Sequence, residues 1–241
     1  MFSMETNFAS QAGSLPESSI VRFLETLPLF EDLSGEAVSR LARSAAQIPR
    51  RQGSVIFRQG DTPAALHIIV YGQVTLSLQT ARGDEKVIEL IGPGACFGAS
   101  PLFLGEQHAL TAETITDSML VHLGKAFVLE EVERNPGFCS RMLKDVCRRL
   151  NQRTRYFENC MVLNGAQRVT AFLLSQIPDG VNGGSVAVTL NAKKGVIASG
   201  LNLTHEHFSR ILHEIQAAGL IEVRGREIQM FDVGRLRAYA S

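Results

Sequence analysis

The chain has 241 residues, with 24 Lys and Arg against 24 Asp and Glu, so its formal net charge is zero. Hydrophobic residues make up 45% and charged residues 20%, the values of an ordinary globular protein long enough for one large or two modest cores. A zero balance excludes a histone-like, uniformly basic nucleic-acid binder, but not a specific reader with a local basic face.

Residues 1–19 are polar and Ser-rich, with no basic region ahead of an apolar run, and read as a flexible N-terminal arm rather than a secretory signal. No stretch of about 18 apolar residues occurs, so no membrane partner is expected and the chain reads as cytoplasmic. Cys96, Cys139, Cys147 and Cys160 form no C-x-x-C pair, which argues against a zinc ribbon, and they read as reduced thiols rather than disulfides.

Residues 20–123 are expected to form an antiparallel β-roll. Ile20 to Ala46 has helical spacing, with Ser34 and Glu36 as cap and first turn of an Ala37–Ala46 run. Glycines then punctuate segments of strand length: Val55–Phe57, Leu66–Val70, Lys86–Ile91 and Met119–Leu123. Val74, Leu76 and Leu78 alternate with Thr75 and Ser77, the period of a half-buried strand, and Arg82-Gly83-Asp84 reads as a hairpin tip.

Residues 124–161 change period. Asn135-Pro136 marks a helix start. Cys139, Leu143, Val146, Leu150, Arg153, Phe157 and Cys160 then recur at 4, 3, 4, 3, 4, 3, an a/d seam over about three heptads. So narrow a stripe reads as a dimerisation helix, the alternative being a helix packed only on its own roll.

Residues 162–241 read as a compact α/β end. Ala166–Ile177 is helical, Pro178-Asp179-Gly180 and Asn182-Gly183-Gly184 are turn chemistry, and Ser185–Leu190 alternates as a strand. The helices Ala192–Ser199 and Thr204–Ala218 flank a turn, with Gly219 as C-cap, and a hairpin follows through Gly225. Thr204 is placed to cap the second helix, whose exposed first turns carry His205, Glu206, Ser209 and Arg210. These residue types read base edges: Arg forks onto G O6/N7, Glu accepts from C N4, and Ser bonds a base or a phosphate. Arg224 and Arg226 on the hairpin suit phosphates. The plain alternative is a surface ion pair between Glu206 and Arg210. His205-Glu206-His207 fails the His-Glu-x-x-His zinc pattern, so no metal site is expected.

The run Thr204-His205-Glu206-His207-Phe208-Ser209-Arg210-Ile211-Leu212, with Gly219-Leu220-Ile221, resembles the winged helix of the Crp/Fnr superfamily of bacterial transcription regulators. Gly53-x-x-Ile56-Phe57-x-Gln59-Gly60-Asp61, Tyr71-Gly72-Gln73-Val74, Gly92-Pro93-Gly94 and Phe97-Gly98 resemble turns of that family's sensor roll, in the family's order. The resemblance implies an α+β chain: an N-terminal cyclic-nucleotide-binding-like jelly roll, a long dimerisation helix and a C-terminal winged helix-turn-helix. It implies a homodimer on a palindromic site in double-stranded DNA, with RNA polymerase as a further partner and no enzymatic activity. Glu206, Ser209 and Arg210 match the E-x-x-S-R pattern of Fnr-like branches, which read TTGAT-type half-sites. The glutamate and arginine that hold a cyclic nucleotide are replaced by Ala99 and His108, which argues against that ligand. No Cys precedes Cys96, which excludes the N-terminal iron–sulfur cluster of the oxygen sensors.

What remains is similar to the cluster-free Dnr/Nnr-type branches, which respond to nitric oxide and are thought to use haem. That places His67, His108 and His122 as candidate haem ligands, with Phe103, Leu104, Met142 and Leu143 as a candidate apolar pocket. Control by thiol oxidation at Cys147 or Cys160, with Arg148 and Arg149 nearby, stays open, as does a regulator without ligand. A cupin-like metalloenzyme is the alternative of another class, against which the roll lacks a clustered His-x-His pair.

Overall fold

The structure, a computed structural model, describes residues 17–31, 33–79, 85–178 and 184–239. The arm ahead of Glu17, the Arg82-Gly83-Asp84 tip, and Asp179-Gly180 and Asn182-Gly183 of the two turns lie outside them. The chain divides into two compact units, one ending at Arg149 and the other beginning at Leu150.

The first unit begins with helices α1 (Glu17–Glu25) and α2 (Gly35–Arg43). Ser34 caps α2, its hydroxyl accepting from Ala37 N at 3.3 Å, and Ala37, Val38, Leu41 and Ala42 form its buried face. The helix stops earlier than its Ala-rich run suggested. Ala45–Arg50 is strand β1 instead, paired to β8 (Ser118–Gly124) at the edge of a sheet, where Pro49 costs no interior ladder bond.

The roll comprises β1, β8, β2 (Val55–Phe57), β3 (Ala65–Tyr71), β4 (Val74–Gln79), β5 (Glu85–Ile91), β6 (Cys96–Phe97) and β7 (Thr111–Thr114). They form two antiparallel sheets, ordered β1-β8-β3-β6 and β2-β7-β4-β5. Phe57, Ile69, Val74, Ile91, Phe97, Ala112 and Leu120 fill the space between the sheets. Leu66, Ile68, Val121 and Leu123 point the other way and pack with Leu24, Phe30, Leu41, Val128, Phe138 and Met142. Both faces of β3 and β8 are therefore buried, which is why these strands read as near-continuous apolar runs. The alternation expected of β4 fails. Thr75 and Ser77 are buried while Leu78 is exposed. β4 is an interior strand, and Leu90, Glu113, Val87 and Thr111 stand opposite the two small side chains.

Two helices follow β8. In α4 (Lys125–Arg134), Val128 and Glu131 are buried, and Arg40 forks onto Glu131 through Nε–Oε2 at 3.1 Å and a second guanidinium nitrogen to Oε1 at 3.0 Å. This ties α2 to α4. Asn135 breaks the chain and caps α5 (Pro136–Val162), its Oδ1 accepting from Gly137 N at 3.0 Å and Phe138 N at 3.2 Å. The expected start at Asn135-Pro136 is where the helix begins. None of the helices of the described residues is long and apolar enough to cross a membrane.

In the second unit, α6 (Gly165–Ser175) opens on a capping box between Asn164 and Gln167. Strand β9 (Val186–Thr189) follows, then α7 (Lys194–Gly200), α8 (His205–Ala217), β10 (Ile221–Arg224), β11 (Glu227–Met230) and α9 (Val233–Tyr239). The three strands form one antiparallel sheet in the order β10-β11-β9. Val169, Leu173, Ile197, Phe208, Ile211, Leu212, Ile215, Ile228 and Leu236 make its core.

Candidate functional site

The helix–turn–helix is built as its residues require. Asn202 takes a positive φ of 56° in the tight turn between α7 and α8, a conformation asparagine tolerates better than most residues. Thr204 Oγ1 accepts from His207 N at 3.2 Å, capping α8 as expected. Phe208, Ile211, Leu212 and Ile215 are buried. That fixes the helix's rotation and leaves Thr204, His205, Glu206 and Arg210 exposed, with Ser209 half-buried. The side chains expected to read bases therefore share one solvent face.

Their mutual contacts differ from the simple pairing considered from spacing. Arg210 lies 3.8 Å from Glu214, one turn onward, and not against Glu206. Glu206 is held below the usual carboxylate range by its own backbone N–H and the Thr204 hydroxyl. An exposed pair at 3.8 Å contributes little, so Arg210 is easily released to a stronger acceptor. Beyond α8, Gly225 and Arg226 form the two-residue tip of the β10–β11 hairpin, where Arg224 stands opposite Glu227. Arg224 and Arg226 are exposed at that tip, with Arg224 bonded to Glu222 at 2.9 Å.

The three sensor histidines, weighed singly in the sequence, come together. His67 on β3 and His122 on β8 are register partners, and His67 also stands opposite Phe97 on β6. Their rings meet edge to face at 4.3 Å between centroids. His108 stacks on Phe57 at 3.6 Å, and Phe57 reaches His67 at 5.4 Å. Gly98 closes the cluster: a Cβ there would lie 3.0 Å from the His67 ring and 3.7 Å from that of His108. Burial lowers the His67 pKa to about 3 and that of His122 to about 4, and lowers that of His108 as well. The cluster is thus neutral and packed. His67 Nδ1 and His122 Nε2 are buried without a hydrogen-bond partner among the described residues.

These residues do not fit haem as placed. His67 and His108 are 6% and 4% exposed and in contact with aromatic rings. The expected pocket does not gather: Met142 is in the core, while Phe103, Leu104 and Leu143 are 38%, 65% and 62% exposed. A groove of about 360 Å³ does lie elsewhere in this unit, between Leu27–Phe30, Pro93–Cys96 and Asp145, and none of the three histidines lines it. No group of His, Cys, Asp or Glu suited to a metal occurs among the described residues.

The cysteines separate by environment. Cys96 is buried, its thiol pushed up to about 12 by burial against the opposing pull of Arg149. Arg149, a candidate activator of Cys147, instead bonds Asp145 at 2.9 Å and donates to the Cys96 carbonyl. Arg148 also faces Asp145, at 3.6 Å. Cys139 and Cys147 are exposed and Cys160 is half-buried. The seam of α5 is exposed as well: Leu143 62%, Val146 42%, Leu150 64% and Phe157 60%. Phe138 and Met142, by contrast, are buried on the adjacent face. Within the first unit, Leu143 and Val146 are therefore not packed on the roll.

Comparison with known proteins agrees with both halves. Residues 48–135 match the family model of a cyclic nucleotide-binding domain, and residues 167–239 that of a Crp-like helix-turn-helix domain. The cyclic AMP receptor protein of Thermus thermophilus is 26% identical over 216 residues, covering 88% of this chain and 96% of its own. The solved structure of DNR from Pseudomonas aeruginosa is 26% identical, covers 94% of this chain and all of that one, and superposes with a TM-score of 0.52. FixK2 from Bradyrhizobium japonicum, 20% identical over 80% of this chain and 96% of its own, shares the fold with a TM-score of 0.71.

Proposed function

The chain belongs to the Crp/Fnr family of DNA-binding transcription regulators, and on that premise we propose that it acts as a cytoplasmic homodimer reading an inverted repeat. The observation that carries this is the solvent face of α8. Glu206, Ser209 and Arg210 follow a capped start on a helix whose opposite face is buried. Thr204 and His205 flank them, and Arg224 and Arg226 stand on the hairpin tip for phosphates. Arg210 forks onto a guanine and Glu206 accepts from a cytosine N4. The E-x-x-S-R pattern favours TTGAT-type half-sites.

In this reading residues 20–123 are the sensor roll, preceded by the first three residues of α1, which begins at Glu17 and not after an arm ending at residue 19; 124–161 are the dimerisation region and 162–241 the DNA-binding domain. Cys139, Leu143, Val146, Leu150, Arg153 and Phe157 form the dimer seam. Their heptad spacing is self-complementary, and the exposed apolar side chains of Leu143, Val146, Leu150 and Phe157 are those a second α5 buries. A signal in the roll biases a two-state equilibrium of these helices and so the spacing of the two α8 helices. RNA polymerase is the partner through which promoter binding changes transcription.

A signal other than a cyclic nucleotide is the reading the sequence favours. The resemblance aligns Ala99 and His108 with the family's nucleotide-holding glutamate and arginine, so that carboxylate and guanidinium are missing from the sequence, and His108 is stacked on Phe57. Haem-mediated nitric oxide sensing has no support in the packed histidines. A fluorescence-anisotropy titration tests the reading. The full chain should bind an inverted repeat of TTGAT half-sites at least tenfold tighter than a scrambled duplex of the same composition. Equal affinity for the two would overturn it.

A further inference from the structure

We propose that the groove between the α1–α2 connection, the β5–β6 turn and α5 is the signal site of this chain, and that it takes a monocarboxylic acid with an apolar body, the carboxylate resting on Arg148. The proposal deepens the regulator reading above and rests on it for the effect on DNA.

The groove holds about 360 Å³, at the small end of small-molecule sites. Leu27 to Phe30, between α1 and α2, make one wall, and Pro93 to Ala95, between β5 and β6, make the other. The buried Ile68 and Cys96 lie between them, and α5 adds Asp145 and Arg148. Backbone bonds hold both walls in place. Phe30 N donates to the Leu27 carbonyl at 2.9 Å, Gly94 N to the Ile69 carbonyl at 2.8 Å, and Ile69 N to the Ala95 carbonyl at 3.1 Å. The groove is therefore preformed.

The wall side chains are hydrocarbon, so the body of a ligand must be apolar as well. The charged groups decide its head. Asp145 Oδ2 accepts from Arg149 Nε at 2.9 Å and stands 3.6 Å from the Cys96 thiol. Arg141, beside the first wall, is turned to Glu31 and the Pro28 carbonyl, each at 3.5 Å. Arg148 differs from both. Its side chain is 60% exposed and lies 3.6 Å from Asp145 Oδ1, beyond a hydrogen bond, with no closer carboxylate among the described residues. One guanidinium at the groove is thus left to an outside anion, and a carboxylate matches its fork. A cationic head is repelled by that guanidinium, and a doubly charged phosphate by Asp145 beside it.

Pairing of two α5 helices leaves the groove open. With Leu143 and Leu150 at a, Asp145 falls at c and Arg148 at f, the positions turned away from the seam. The same helix carries the signal onward. Arg149 donates to the Cys96 carbonyl as well as to Asp145, which ties the groove wall to α5. A ligand that draws Arg148 over the groove therefore acts on the helix whose other face is the dimer seam.

Isothermal titration of the full chain with sodium decanoate tests the site, with decanol and decyltrimethylammonium as probes of the same chain length. Decanoate should bind once per chain, about tenfold tighter than decanol, and the ammonium should not bind. Equal binding of all three is surfactant adsorption and overturns the proposal. Arg148→Ala, at an exposed position, should weaken decanoate about tenfold and leave decanol unchanged; decanoate binding that ignores this change overturns the assignment. Ala95→Leu, which fills the groove from a half-buried position, should abolish binding of both while the melting midpoint holds, and decanoate bound by that folded variant also overturns it. Saturating decanoate should change the affinity of the wild-type chain for the inverted repeat by about fivefold or more. Binding without that change overturns the signal role. A chain that reads the repeat but binds no decanoate overturns the groove assignment alone, whereas a chain that does not distinguish the repeat from a scrambled duplex overturns the regulator reading beneath it.

Discussion

Arg210 stands two-thirds exposed on α8, held by Glu214 at 3.8 Å, an arrangement suited to a side chain that must change partners on binding. Arg210→Ala should weaken operator binding by about 1–3 kcal/mol per half-site and relax discrimination at one G·C pair. A titration over single-base operator variants reads both effects; an even loss across sequences would reduce Arg210 to a phosphate contact. Gly72 carries a different constraint. It takes φ +91°, and a Cβ there would lie 2.6 Å from the Asp117 carbonyl oxygen and 2.6 Å from Ser118 Cα. Backbone cannot swing aside as a side-chain tip can. Gly72→Ala should destabilise the chain by about 1–3 kcal/mol in a denaturant melt, and a neutral result would mean the turn repacks. Residue chemistry of this local kind was legible in advance. Thr204 and Ser34 sit where caps were expected, because a cap depends on a few neighbouring residues.

At the scale of elements, α5 shows how a helix serves two partners. Phe138 and Met142 hold it within its unit, each burial worth about 1.5–3 kcal/mol, while Leu143, Val146, Leu150 and Phe157 are left to solvent. Replacing Leu143 and Leu150 together with Glu should convert the dimer to monomer without lowering the helical content. Light scattering with circular dichroism checks this, and a double variant that stays dimeric would place the interface elsewhere. The heptad was readable because a 3.5-residue period survives in any context. The first edge strand was not. Ala45–Arg50 continues a helical run and contains Pro49, and only its pairing with β8, about seventy residues onward, makes it a strand. The histidine cluster was hidden for the same reason. Alternation put His122 on one face of its strand, but the β3–β8 register and the His108 loop decide that three imidazoles meet.

Across the molecule, that cluster sets a direction for pH dependence. An unfolded histidine titrates near 6.5, whereas His67 and His122 titrate near 3 and 4 in the folded chain, and His108 is also lowered. The unfolded chain therefore binds more protons between those limits. The stability these groups contribute is complete above about pH 6.5 and is lost as pH falls toward 4 and then 3. Desolvation is the main cause, with Arg50 adding to it at His122 and Asp61 opposing it at His108. Denaturant midpoints should drop steadily from pH 7 to pH 4, and His67→Phe should flatten the slope; an unchanged slope would show the cluster hydrated. Zero net charge conceals a similar division. Residues 1–123 hold 8 basic and 13 acidic side chains, 124–161 hold 8 and 5, and 162–241 hold 8 and 6. An excess so small at the DNA-binding end supplies little non-specific affinity, so base contacts and two-fold symmetry carry the binding. Symmetry is what a spacing experiment reads. Two α8 helices on one dimer reach major grooves about one helical turn apart, 10–10.5 base pairs. Inserting about five base pairs between the half-sites turns them to opposite faces of the duplex. The affinity of the full chain should then fall to that of a single half-site, and a further five should recover part of it. Affinity indifferent to the insertion would contradict a dimer reading an inverted repeat.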